Sequence, residues 1–98
     1  MRIRIPDWNP TTAIGILFDP SNTYTILISN KGVVHILNRT TRAVLATNVP
    51  VINIQNKSLL SQYVLSNDGT KLILSSEDYL HSVDLTALFQ SVGLPYPI

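Results

Sequence analysis

The chain has no cysteine, one tryptophan and one methionine, and only 13% of its 98 residues are charged. Each shortage excludes something. Without Cys there is no disulfide framework, no thiolate zinc site and no cysteine nucleophile. Seven Lys or Arg stand against six Asp or Glu, so the formal net charge is +1 and nucleic acid and acidic membranes feel little long-range attraction. No apolar stretch approaches the roughly 18 residues that span a bilayer, and the opening MRIRIPDW lacks the apolar run of a secretory signal. A soluble, intracellular protein of the cytoplasm or nucleus is therefore expected. The length allows one domain, which buries only roughly 60 to 65% of the surface its unfolded chain exposes, and a multidomain enzyme is excluded.

The charged fraction is about half the roughly 25% of an average soluble domain. Mean hydropathy is +0.21, and Ser, Thr, Asn and Gln supply nearly a third of the chain. A surface so weakly charged predicts cover by another chain or by more of the same one. The plain alternative is a small β protein with uncharged polar faces.

What is present is β signal. Residues 13–18, 23–29, 33–37 and 42–47 are short runs rich in Ile, Val, Leu, Tyr and Thr, each bounded by turn residues. In Asp19-Pro20-Ser21-Asn22 the Asp side chain can bond the backbone two residues on, while Pro presets φ at the second turn position. Asn30-Lys31-Gly32 and Arg39-Thr40-Thr41 mark the next reversals. Connections this short predict an antiparallel meander.

The second half repeats the first. An offset of 47 lays Phe18 on Leu65, Asp19 on Ser66, Thr23 on Thr70, Ile26 on Ile73, Leu27 on Leu74 and Ser29 on Ser76. The tight reversal Asn67-Asp68-Gly69-Thr70 then matches Pro20-Ser21-Asn22-Thr23, with Gly69 free to take positive φ. After Ser76 the offset becomes 46, because Glu77-Asp78 answers the longer Asn30-Lys31-Gly32; His35 falls on His81, Val34 on Leu80 and Leu37 on Val83. Ile26→Ala and Ile73→Ala should each cost roughly 2 to 5 kcal/mol if buried, and Leu80 is expected on an inward-facing position.

These strings resemble blades of the WD-repeat type of β-propeller, in which a Ser-Pro-Asp-Gly-like turn joins the first two strands and the third ends in Trp-Asp. Here Leu37-Asn38 and Val83-Asp84 stand in the Trp-Asp place, so only the second copy keeps the Asp and neither keeps the Trp. The family's Gly-His pair has no counterpart before Ala13 or Gln62, and its His-to-Asp network is not carried over. The resemblance covers most of residues 11–85 and rests on period and pattern.

It implies an all-β fold of two antiparallel four-stranded propeller-type blades, the second lacking its own fourth strand. Residues 1–10 form an N-terminal strand or arm, with Arg2 to Ile5 the ordered outer strand. Residues 11–50 are the first blade and 51–85 the second, incomplete one, with strands at 61–65, 71–75 and 79–83. Residues 86–98 are a short helix and tail, with Asp84 or Thr86 as N-cap and Gly93 as the stop, although 85–92 could also be extended. Two blades leave apolar flanks in water, so closure must come from identical subunits, a partner's blades or a longer chain.

Catalytic patterns are missing: there is no Gly-rich phosphate loop, GxSxG elbow or HExxH. His35 and His81 fall on equivalent strands, too far apart for one metal, and read as structural or solvent-facing. Ser75-Ser76-Glu77-Asp78 has no His expected within reach and reads as a polar turn. Arg39, Arg42 and Lys31 are too few, and lack the interleaved aromatics, for a nucleic-acid site.

The predicted function is a non-catalytic protein–protein interaction scaffold without cofactor or metal, its propeller completed by a protein partner or by homo-oligomerisation. Trp8 is an anchor for a partner or a clamp on the first blade. By position, the loops bearing Asn30, Lys31, Asn53, Gln55, Lys57, Glu77 and Asp78 are the partner surface that the resemblance implies. Two alternatives are a small-ligand, lectin-like subunit of an oligomeric propeller, against which a single Trp weighs, and a fragment of a propeller enzyme.

Overall fold

The structure, a computed structural model, describes residues 10–51, 60–76 and 79–96. A 3-10 turn at Pro10–Thr12 leads into four strands: β1 (Ala13–Phe18), β2 (Tyr24–Ser29), β3 (Val33–Asn38) and β4 (Val44–Pro50). Three more follow, β5 (Gln62–Leu65), β6 (Lys71–Ser75) and β7 (Leu80–Asp84), and then helix α1 (Leu85–Ser91). The first sheet has the order β1-β2-β3-β4 and the second β5-β6-β7, with every pairing antiparallel. The expected outer strand at Arg2 to Ile5 lies outside the described residues.

Turn chemistry explains the reversals. Asp19 accepts from the backbone N–H groups of Ser21 (3.2 Å), Thr23 (2.8 Å) and Tyr24 (2.7 Å), and from the Ser21 hydroxyl. One buried carboxylate thus holds the whole β1–β2 turn, and Asn22 takes the positive φ of 60° that an Asn tolerates. In the second copy an exposed Asp68 accepts from the Ser66 hydroxyl and from the Thr70 N–H and hydroxyl, with Gly69 at φ 76°. Arg42, at φ 63° with its N–H on the Asn38 carbonyl, is still part of a reversal. That is why β4 starts at Val44, two residues beyond the expected start.

The repeat survives into the pairing itself. Leu17 faces Ile26 in the first sheet, and Val64 faces Ile73 in the second; Leu27 faces His35, and Leu74 faces His81. Every residue pair of the second sheet is a pair of the first moved by the 47- and 46-residue offsets. The shorter β6–β7 turn therefore changes the loop and leaves the register intact.

The faces that meet are not equivalent ones. One core joins Leu17, Ile26, Ile28, Val34 and Ile36 of the first sheet to Leu72, Leu74 and Val83 of the second, with Tyr63 and Leu65 packed against it. By the repeat, Leu72, Leu74 and Val83 correspond to Thr25, Leu27 and Leu37, which lie on the other face of the first sheet. The sheets are stacked front to back. They approach most closely along β1 and β5, where the Tyr63 ring lies on Gly15 so tightly that a Cβ there would overlap it. Any larger residue at Gly15 would force that ring to move.

At the turn end, the C-terminal segment closes the core. Asp84 caps α1 by accepting from the Thr86 and Ala87 N–H groups, and Leu85, Leu88 and Phe89 form its buried stripe at i, i+3 and i+4. Gly93 at φ 75° ends it: its N–H goes to the Gln90 carbonyl and that of Leu94 to Phe89. Residues 85–91 are thus helical. Phe89 packs between Tyr24 (centroids 4.8 Å apart) and Tyr96 (4.4 Å), and the Tyr24 hydroxyl donates to the Pro95 carbonyl at 2.7 Å.

Candidate interaction surface

The front-to-back stack has two outward faces. On the second sheet, Gln62, Val64, Lys71, Ile73, Leu80, Ser82 and Asp84 alternate with the core residues and are all exposed. Among them Val64 is 63% and Leu80 77% exposed, in contrast to the inward position expected for Leu80. The reason is the period-2 alternation of β7: Val83 points to the core, so Leu80, three residues away, points from it. Ile73 is 38% exposed for the same reason, whereas its counterpart Ile26 is fully buried.

Each apolar residue on this face corresponds to a core residue of the first sheet: Val64 to Leu17, Ile73 to Ile26, Leu80 to Val34. On the outward face of the first sheet, Leu27, His35 and Leu37 are buried, while Ile16 and Phe18 on β1 are 56% and 47% exposed. They correspond to Tyr63 and Leu65, which pack on the core. Large apolar groups so placed gather on each of the two outward faces rather than lying as the scattered singles of an ordinary surface.

The charges around the patch are held. Lys71 Nζ lies 3.3 Å from an Asp84 carboxylate oxygen at the surface. Backbone and side-chain hydrogen bonds from Thr70 and Ser66 pull the Asp68 carboxyl down to about 2, and hydrogen bonds from the Ala87 N–H and Lys71 lower that of Asp84. Both are therefore anions at neutral pH. On the first sheet, the Arg39 guanidinium sits 4.1 Å from the Phe18 ring centroid and donates to Asn22.

Of the loop residues expected to bind partners, Asn30 has a structural task. Its N–H donates to Thr12 O at 2.8 Å and its carbonyl accepts from Leu60 N at 2.9 Å, tying the start of β1 to the approach to β5. Lys31 is exposed beside it. Trp8, Asn53, Gln55, Lys57, Glu77 and Asp78 lie outside the described residues.

His35 is buried, and its Nδ1 accepts from the Asn48 N–H at 3.4 Å, on the far face of the first sheet from His81. His81 lies near a serine: its Nε2 is 3.5 Å from Ser76 Oγ across the β6–β7 turn. The hairpin register, which sets Ser75 opposite Leu80, brings this about and was readable once the turn was placed. The separation exceeds the reach of a nucleophile–base pair, and among the described residues the imidazole's neighbour is the Tyr79 ring. Among the described residues no group of three His, Asp or Glu could hold a metal, and no helix is long and apolar enough to cross a membrane. No protein-family model, curated protein or solved structure matches the chain.

Proposed function

We propose that this chain is a non-catalytic protein–protein interaction module, a pair of WD-like propeller blades that other subunits or more chain complete. One observation carries the reading: Val64, Ile73 and Leu80 are exposed although their repeat counterparts Leu17, Ile26 and Val34 are buried under a neighbouring sheet. A sequence that keeps core-type side chains at core-type positions keeps a face suited to another sheet. The front-to-back stacking supports the blade reading, because successive blades meet through non-equivalent faces whereas a two-fold sandwich joins equivalent ones.

Site-specific photo-cross-linking tests it. A benzophenone side chain at Val64 or at Leu80 should give discrete protein adducts in the protein's own cellular extract, and the same group at exposed Thr40 should not. Adducts from Lys31 with none from Val64 and Leu80 would transfer the docking role to the loops and overturn the assignment to the sheet face.

A further inference from the structure

We infer that the partner for this face is a second copy of the chain, whose first sheet stacks through β1 on the second sheet of its neighbour as β1 and β5 meet within the chain. The inference rests on the reading of the open face as a docking surface and adds the identity of what docks.

The internal interface is the template. Within the chain, the inner face of β1 meets the inner face of β5 at the closest approach of the two sheets. Moving that contact by one repeat brings the outer face of β5, with Val64, against the outer face of a second β1, with Ile16 and Phe18. These three are among the most exposed large apolar residues of the described chain. On the first sheet, the two most exposed large apolar residues, Ile16 and Phe18, lie where a repeated stack would make its tightest contact, Leu45 of β4 being the third, while Leu27, His35 and Leu37 behind β1 are already covered. Ile16 and Phe18 are the counterparts of Tyr63 and Leu65, so a second copy offers the same kind of side chains that the core already accepts.

Charge runs the same way. Among the described residues, three of the four charged residues in 10–51 are cations (Lys31, Arg39, Arg42), and two of the three in 60–96 are anions (Asp68 and Asp84, against Lys71). The ends match as well. Pro20 of the first turn lies against Gly69 of the second, and Arg39 joins that turn end through its N–H on the Thr23 carbonyl. In a repeated stack the Arg39 end of one copy meets the Asp68 end of the next. A front-to-back contact of this kind leaves each copy with one face still open, so association continues beyond a dimer or closes as a ring.

Sedimentation velocity on single-face variants decides the matter. Ile16→Lys blocks the β1 face and Val64→Lys the β5 face, with Leu80→Lys as a second variant on the latter; all three replace exposed side chains, and far-UV circular dichroism checks the fold. The intact chain should sediment progressively faster as concentration rises, and each variant alone should be monomeric. An equimolar mixture of Ile16→Lys and Val64→Lys should form a dimer, because one good interface remains between them. Self-association of Ile16→Lys alone or of Val64→Lys alone would mean that like faces pair, and it overturns the proposal. So does an intact chain that stays monomeric at every concentration. In that last case, cross-links from Val64 to a different protein would still uphold the docking surface, and no cross-link at all would overturn both.

Discussion

Ile26 and Ile73 are the same residue at the same place in two copies of one sheet pattern, which makes their truncation a comparison of environments. Ile26→Ala removes three carbon atoms from a fully buried site between Leu17 and Ile36. At about 0.8 kcal/mol per methylene the transfer loss alone is about 2.4 kcal/mol, and the residual cavity brings the total to about 3 to 4 kcal/mol. Ile73, between Val64 and Ser82, is 38% exposed and flanked by open surface, so no closed cavity forms. Ile73→Ala should cost the dilute monomer about 1 kcal/mol. A domain of this size has only about 5 to 15 kcal/mol to lose, so Ile26→Val, expected to cost about 0.5 to 1.5 kcal/mol, guards against outright unfolding. Urea melts at low concentration, followed by circular dichroism, give both values with m held constant. Equal losses at the two positions would refute the stacking order, because they would require Ile73 to be as enclosed as Ile26.

Three further outcomes are expected. Asp19→Ala strips the acceptor from three backbone N–H groups, that of buried Tyr24 among them, and should cost about 2 to 4 kcal/mol in urea melts; Asp19→Asn, which keeps one acceptor oxygen, should lose less. Gly15→Ala should cost about 1 to 3 kcal/mol because its Cβ meets the Tyr63 ring, and a double-mutant cycle should show most of that loss vanishing in a Tyr63→Ala background. Burial first, and then the Asp19 and Asp68 charges, push the Tyr96 hydroxyl up to about 12. The folded state then holds a proton that the unfolded state releases near pH 10, so stability is intact below about pH 10 and falls as pH rises towards 12. Absorbance titration of tyrosinate against denaturant melts at each pH checks it, and Tyr96→Phe should blunt the loss.

Local chemistry by itself determined the strands, the turns and the register of this protein. The runs of β-branched and aliphatic residues, the Asp19 and Asn67-Asp68-Gly69 turns, and the one-residue shortening at Glu77-Asp78 are short-range signals, and each acts within a hairpin. The offset of 47 changing to 46 therefore passes unaltered into the pairs Val64 with Ile73 and Leu74 with His81. The stop at Gly93 was equally legible, since it depends on residues within a few positions of the helix end, while the cap was narrowed to Asp84 or Thr86 and the structure selects Asp84. What only the tertiary structure decided is which face of each sheet is covered. Alternation says that Leu74 and Ile73 point opposite ways, but not which of them meets the first sheet. That choice is set by the stack: Tyr63 on Gly15, and the Tyr24, Phe89 and Tyr96 rings closing one end, bring the Leu72–Leu74 side of β6 inward. Ile73 and Leu80 are turned outward as a result, and the open face of the molecule follows from long-range packing that no stretch of the sequence contains.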